Sequence, residues 1–507
     1  MSCYSPWALE HRLSSNGGEH KEIVPSDGSV TSKSNPHDED YSLEGSPEPI
    51  AADVTMSRQL EFDSISWSQL VQDACEIYAE LVTVEAQCIE VDNKLAKSNA
   101  ELSEAQTQEL LKHHQTLLNL HHGFFLKSQH PSACQGLKGL PEKYGMPSRM
   151  WIYGIHPFLN LLLQKSPNSL DHILRFIYFA YSTMTFLMEN DSIARETWIE
   201  LLGDLARFGM AVQFDMRERS VWVRISRYWY TLAVDRSPEV GRFQHHLGVL
   251  AQPDLLQQLF HYMKGPISVS PFRPAQETIA SLFSRSNGPV SHHNSLLTAF
   301  MSTHKTLFLK AFPQKFFPTA EYFLTVLRWD VYRHEFQAQQ GVYIMFCNIA
   351  AILQYGEPDA FLSPEDFKQY GEIIEDHFFA DPSTPNKSRA IDSSGKDNHS
   401  MQFVMAQQGG FLAFHTLAIL LDQSGDSALL PSVHISLSFI WCLTLQPNAM
   451  KHFEKLIPWI SITSYLNVLL NFESPVNTSK IEQVAWPLFD DVSTQQPPED
   501  FLIQGHV

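Results

Sequence analysis

The stretch that decides the fold runs from Ala194 to Ala251 and reads ARETWIELLGDLARFGMAVQFDMRERSVWVRISRYWYTLAVDRSPEVGRFQHHLGVLA. Its apolar residues recur at three- and four-residue steps, which predicts helices near 193–208, 218–236 and 241–251. A Leu-Gly pair lies in the first of these helices, and a second pair lies in the third. The stretch therefore predicts antiparallel helices that pack closely where side chains are small.

The order of small, aromatic and proline residues in this stretch is typical of a tetratricopeptide unit, which is a pair of antiparallel helices. The matching positions are Leu202, Gly203, Ser226, Tyr230, Ala233, Pro238, Leu247 and Gly248. Small side chains let the helices approach, the tyrosine fills the groove, and the proline ends the second helix. The two Leu-Gly pairs lie 45 residues apart, against about 34 in the usual repeat. We interpret GMAVQFDMRERSV as an inserted loop; an arbitrary helical hairpin is the alternative to the repeat.

Helical periodicity continues on both sides of this stretch. Two long helices, in 66–98 and 101–131, form a predicted hairpin, and further helices are predicted near 147–165, 169–189, 254–264 and 274–285. Residues 290–480 are also helical in pattern, and no glycine fingerprint of an α/β fold occurs. The predicted class is all-α: a 14-3-3-like and tetratricopeptide-like helical array followed by helical hairpins.

Composition divides the chain into four segments. Residues 1–62 are rich in Ser, Pro, Gly, Asp and Glu, and we expect a disordered acidic tail there. The predicted domains are 63–290 and 291–480, the second with a flexible polar loop at 381–400. Residues 481–507 are predicted to be a second tail.

Charge and cysteine content restrict the class of protein. The net charge is −20, which opposes nonspecific binding to nucleic acid or anionic membrane. Residues 141–290, with 15 basic and 13 acidic side chains, are the exception. The six cysteines form no Cys-x-x-Cys pair, as expected in a reducing compartment. Arg175 interrupts the apolar run at 173–188, which is too short to span a membrane. We expect a nuclear or cytoplasmic protein without a membrane partner.

Three segments in order carry a family resemblance: WIELLGDLARF, then RYWYTLAVDRSPEVGRFQHHLGVLA, then LLQQLFHYMKGPISVSPFRPAQETIASLF. They resemble the Est-one type of DNA/RNA-binding domain, found in the telomerase regulatory subunit and in the SMG five, six and seven factors of nonsense-mediated mRNA decay. HHGFFLKSQHPSA and KYGMPSRMWIYGIHPFL resemble filamentous-fungal members. The resemblance covers about 65–290 well and 290–480 loosely. It implies a 14-3-3-like domain containing tetratricopeptide-like hairpins, then a helical-hairpin domain.

The resemblance also implies a phosphoserine pocket. The arginine of its GDIAR motif, a phosphate ligand, maps onto Arg207, whose planar guanidinium suits two phosphate oxygens. The second ligand is a lysine on the preceding long helix; Lys127 lies out of register with it, so His122 and His121 are alternatives. In the alternative interpretation Arg207 only pairs with Asp204, three residues earlier on the same helix face.

An arginine-rich segment with interleaved aromatic residues suggests a second kind of site. Seven arginines and four acidic residues lie between positions 207 and 242, together with Trp222, Tyr228, Trp229 and Tyr230. Such a surface can hold single-stranded nucleic acid by phosphate contacts and stacking. The candidate side chains are Arg217, Arg219, Arg224 and Arg227. The alternative is a solvated helix face whose aromatic residues point into the core.

Residue patterns of catalysis or metal binding are not evident in the sequence. Four histidine pairs occur, but none belongs to a recognisable zinc motif. We find no Gly-x-Ser-x-Gly, no phosphate-binding Gly-rich loop and no His-Glu-x-x-His. We therefore expect no enzyme, no cofactor, no metal and no small-molecule substrate.

Two functional hypotheses follow. In the first, the chain is a non-catalytic adaptor of nonsense-mediated decay that binds a phosphoprotein such as a decay helicase. In the second, it is a telomerase-associated factor that binds telomerase RNA or single-stranded telomeric DNA. Salt distinguishes them, because binding to the phosphate backbone weakens steeply as salt rises.

Overall fold

The structure is a computed structural model, and it describes residues 66–98, 101–165, 170–190, 194–285, 295–310, 313–362, 398–423 and 426–472. The described residues belong to one compact unit. The predicted tails at 1–62 and 481–507 lie outside the described residues. So does the predicted loop at 381–400, apart from its last three residues, which begin a helix.

The described elements are helical, which confirms the all-α prediction. The first part contains α1 (Trp67–Lys97), α2 (Glu104–Ser128), α3 (Gln135–Lys138), α4 (Leu140–Lys143), α5 (Met146–Arg149), α6 (His156–Lys165), α7 (Leu170–Asn190), α8 (Arg195–Val212), α9 (Met216–Arg236), α10 (Gly241–Leu250), α11 (Leu255–Ile267) and α12 (Ala275–Arg285). A π-helical turn, Met150–Ile155, joins α5 to α6. The second part contains α13 (Ser295–Phe308), α14 (Pro313–Tyr332), α15 (Ala338–Ile352), α16 (Asn398–Leu421), α17 (Leu430–Thr444), α18 (Pro447–Phe453) and α19 (Trp459–Phe472).

Side chains in the sequence specify several helix starts. Ser103 and Gln106 form a capping box at α2, each side chain bonding the other's backbone N–H. Asp215 caps α9 and Asp254 caps α11, and each carboxylate accepts from two backbone N–H groups of the first turn. Each cap satisfies backbone N–H groups that the helix leaves unpaired, and contributes about 1 kcal/mol.

The predicted inserted loop in GMAVQFDMRERSV is wrong. Helix α8 continues to Val212 and α9 begins at Met216, so the connection contains only Gln213–Asp215. Gly209 lies inside α8, where a Cβ would lie 2.6 Å from Trp222 Cδ2. The glycine therefore marks close packing of the two helices. The residues beyond the usual repeat length lengthen the helical hairpin.

One hydrophobic core extends from Leu256 to Tyr465. It includes side chains of α11 and α12, before the predicted boundary at 290, and of α13 to α19 after it. Side chains on both sides of the predicted boundary at 290 therefore share one core. The boundary itself stays a prediction. Two stretches, Met401–Leu421 and Ser427–Thr444, are long and apolar enough to cross a membrane, but 72% and 50% of these windows are buried inside the fold, as in core helices.

Candidate functional site

Tyrosine rings pack directly on glycines where neighbouring helices meet, first in the hairpin of α8 and α9. A Cβ at Gly203 would lie 2.7 Å from Tyr230 Cε1. The Ser226 hydroxyl, fully buried, donates to the Gly203 carbonyl at 3.0 Å. The same arrangement recurs between α10 and α11, where a Cβ at Gly248 would lie 2.5 Å from Tyr262 Cε1. Both Leu-Gly pairs therefore mark positions where two helices touch.

The other positions of the predicted repeat also lie inside or at the end of these helices. Leu202, Ala233 and Leu247 are buried. Pro238 is partly buried and lies two residues beyond the end of α9. This packing fixes the face of α8 that carries Arg207.

Arg207 belongs to a buried polar group, which we call the Arg207 cluster: Arg207, Asp204, Tyr230 and His246. Tyr230 donates its hydroxyl to Asp204 Oδ1 at 2.6 Å, and Arg207 Nη2 lies 3.4 Å from the same oxygen. The rings of Tyr230 and His246 stack with centroids 4.8 Å apart. The Arg207 side chain is 11% exposed. The cluster thus lies at the edge of the core and reaches solvent through a small part of the arginine.

Burial determines the charges in the cluster. It lowers the pKa of His246 well below its usual value, and the neighbouring Arg207 lowers it further. Burial also raises the pKa of Tyr230 well above its usual value, with a contribution from Asp204. His246 and Tyr230 are therefore neutral near pH 7. Arg207 supplies the positive charge of the cluster.

The predicted second phosphate ligands lie on α2 and contact other helices. Lys127 Nζ donates to Asp73 of α1 at 2.7 Å, and this bond lowers the pKa of Asp73. The His122 ring meets Phe186 of α7 edge-on at 5.1 Å. His121 is fully buried, and neither of its ring nitrogens has a hydrogen-bond partner among the described residues. The role of these side chains as phosphate ligands stays a prediction.

The arginine-rich segment divides between the two sides of α9. Trp222, Trp229 and Tyr230 are buried. On the other side, Arg217, Arg224 and Tyr228 are exposed. Their spacing of seven and four residues places them along one stripe of the helix. The structure therefore matches neither predicted alternative alone, because three of the aromatic residues are buried in the core and Tyr228 is exposed.

Helix α7 contributes a further exposed aromatic side chain, which contacts α9. The Tyr178 ring, 53% exposed, lies 5.4 Å from the Trp222 ring. One turn further, Trp229 Nε1 donates to Tyr181 Oη at 3.0 Å. We call the exposed side chains Tyr178, Arg217, Arg224 and Tyr228 the α7–α9 face. Tyr178 was not among the predicted site residues, because periodicity shows that it lies opposite the buried side of α7 but not which helix lies beside it.

The other two predicted nucleic-acid arginines contact the backbone. Arg219 Nη1 donates to the Met210 carbonyl at 3.2 Å, and Arg227 Nη2 donates to the Leu250 carbonyl at 2.9 Å. Both carbonyls lie in the last turn of a helix, where four carbonyls lack intrahelical partners. These two arginines therefore brace helix ends, whereas Arg217 and Arg224 extend into solvent.

Across the ranges that the structure describes, no three His, Cys, Asp or Glu side chains are grouped so that they could hold a metal ion. The histidines of the pair His245-His246 instead contact aromatic rings.

Comparison with known proteins gives one informative similarity. The chain is 25% identical over 319 residues to EST/SMG-like protein 2 of Saccharomyces cerevisiae. The match covers 59% of this chain and 25% of that protein, so the chain spans about a quarter of the relative's length. No family model matches. The similarity supports a relationship to the EST/SMG proteins, as the motifs around Leu202 and Tyr230 indicate.

Proposed function

We propose that this chain is a non-catalytic helical adaptor of the Est-one/SMG type, which binds phosphorylated partner proteins in nonsense-mediated mRNA decay. The similarity to EST/SMG-like protein 2 supports the general class. The position of Arg207 within the helical hairpin supports the phosphate-binding part of the proposal.

The observation that carries this proposal is the geometry between Arg207 and Asp204. Their atoms are 3.4 Å apart, longer than the roughly 2.8 Å of a strong charge-assisted bond. A phosphate has three acceptor oxygens and up to twice the charge of a carboxylate. It can therefore compete with Asp204 for the guanidinium. Asp204 then keeps the Tyr230 hydroxyl, 2.6 Å away, as a donor.

The experiment measures binding of the full chain to two libraries of fluorescent peptides, identical except for phosphorylation of a central serine. We expect binding to the phosphorylated library alone. Arg207→Glu should weaken it by at least about tenfold, the value of one charged hydrogen bond. Asp204→Asn should strengthen it, since the competing negative charge is removed.

Arg224→Glu is the matched control, because Arg224 is exposed and is not a member of the Arg207 cluster. It should leave phosphopeptide binding unchanged. Equal binding to both libraries, or an Arg207→Glu variant that binds as well as the wild type, contradicts the proposal. Thermal unfolding of each variant separates loss of binding from loss of the fold.

A second candidate function is that of a telomerase-associated factor that binds single-stranded RNA or DNA. It is favoured by the α7–α9 face, where Tyr178 and Tyr228 are 53% and 60% exposed and Arg224 lies one turn before Tyr228. Exposed rings can stack on bases while arginines contact the phosphates.

Its test is the binding of a mixed-sequence single-stranded oligonucleotide at several salt concentrations. We expect Tyr228→Ala to weaken binding by about tenfold or more, as for loss of one stacked base. Arg224→Glu should reduce the salt dependence as well as the affinity. Arg207→Glu is the control here and should have no effect. Undiminished binding by the Tyr228→Ala variant excludes this face as the nucleic-acid site.

A further inference from the structure

The turn between α8 and α9 exposes two large apolar side chains to solvent. Phe214 is 85% exposed, more than any other large apolar side chain in the described residues, and Met216 is 75% exposed. Val221, five residues after Met216, is 38% exposed. Exposed apolar side chains in one place indicate an interaction site, whereas isolated ones are common on any surface.

This turn is fixed by hydrogen bonds on both sides. Asp215, between the two apolar residues, accepts from the backbone N–H groups of Arg217 and Glu218 at 2.7 and 3.1 Å. Arg219 reaches back to the Met210 carbonyl of α8 at 3.2 Å. Because the turn is already ordered, binding a partner at Phe214 and Met216 costs little conformational entropy, which favours affinity.

The charges next to the turn restrict the partner. Arg217 follows Met216 directly, and Arg224 lies two turns further along the same side of α9. The exposed Glu218 is next to Arg217, so the two arginines leave an excess of one positive charge over it. The carboxylate of Asp215 is engaged by the helix N-terminus. Aromatic residues, Met and Arg are the types that protein–protein interfaces favour. A complementary surface has an apolar pocket bordered by carboxylates.

We propose that the α8–α9 turn is a docking element, in which Phe214 and Met216 insert into an apolar pocket of a partner protein and Arg217 and Arg224 pair with acidic residues around it. The docking element is separate from the Arg207 cluster, which lies on the buried side of the same hairpin. It therefore does not depend on whether Arg207 binds phosphate.

The test places a photo-crosslinking residue at the tip of the full chain in cells of the source organism, as Phe214→benzoylphenylalanine. The control is Trp441→benzoylphenylalanine, since Trp441 is 60% exposed on α17. We expect crosslinks from position 214 to one protein, mapped to apolar residues of a site with Asp or Glu at its border. Crosslinks to nucleic acid, to a second copy of this chain, or no stronger than those from position 441 overturn the proposal.

Two variants then test the captured protein by its recovery with the full chain. Phe214→Ser with Met216→Ser should reduce recovery more than tenfold without changing the unfolding temperature, because both side chains are exposed in the free protein. Arg217→Glu with Arg224→Glu should reduce recovery at least fivefold. Recovery that either pair leaves unchanged contradicts the proposal.

Discussion

Both sides of α9 carry aromatic residues, but one side is buried against other helices and the other is exposed to solvent. One side packs tyrosine and tryptophan rings on the glycines of α8, at distances that leave no room for a methyl group. The other side exposes Arg217, Arg224 and Tyr228. Position on the helix, and not residue type, separates structural side chains from candidate binding side chains. Substitutions on the packed side should thus change stability, and those on the exposed side should change binding.

The largest effect on stability is expected at Gly209. A methyl group there would lie 2.6 Å from the buried Trp222 ring, so we expect Gly209→Ala to lower the free energy of unfolding by about 2–3 kcal/mol. Gly123→Ala is the control, since its Cβ would lie at an ordinary 3.7 Å from Ile77 Cδ1. Alanine favours helices, so this control should gain up to about 1 kcal/mol. Urea denaturation measures the free energy of unfolding of both variants. Equal values would contradict the close packing of Gly209 on Trp222 as the cause of the expected loss.

A second effect is expected from acid, through His246 on the packed side. Burial lowers its pKa well below 6.5, so the unfolded chain binds a proton that the folded chain does not. Stability due to neutral His246 is therefore full above pH 6.5 and falls as the pH drops below it. The slope from one histidine is at most about 1.4 kcal/mol per pH unit. His246→Phe keeps a stacked ring without this titration, so its free energy of unfolding should fall less between pH 6.5 and 4.5. Parallel curves for the two proteins would contradict the assignment.

A smaller effect is expected at Ser226. Its buried hydroxyl donates to the Gly203 carbonyl, and Ser226→Ala should cost about 1 kcal/mol of the free energy of unfolding. Ser220 lies on the exposed side of the same helix and bonds the Arg217 carbonyl. Ser220→Ala should change stability by less than about 0.5 kcal/mol. Denaturation measures the free energy of unfolding of both serine variants. A larger loss for Ser226→Ala than for Ser220→Ala is expected, because only the packed side of α9 buries its serine.

The smallest effect on stability is expected for Arg224→Ala with Tyr228→Ala. Both side chains are exposed, so the double variant should unfold within about 0.5 kcal/mol of the wild type. Thermal unfolding checks this result. A larger loss would mean that the α7–α9 face has a structural role, which would weaken its assignment as a nucleic-acid surface.

Predictions from local pattern succeeded where each helix has its own boundary signals. The expected helices at 218–236 and 274–285 compare with Met216–Arg236 and Ala275–Arg285. Prediction failed at Gly209, since a glycine near a helix end favours a turn unless a neighbouring ring requires its missing side chain. Contacts with distant residues cannot be predicted from periodicity. Lys127 pairs with Asp73, 54 residues away, although the resemblance suggested a phosphate ligand.

The sequence by itself determined the helical class, because apolar spacing and caps act over a few residues. It also placed Leu202, Gly203 and Tyr230 in a repeat-like order. Only the tertiary structure decided that the Tyr230 hydroxyl and Arg207 meet at Asp204, that Tyr178 contacts α9 at Trp222, and that Phe214 is exposed to solvent. The physical reason is that burial and charge pairing depend on neighbours from other helices, which a one-dimensional pattern does not specify.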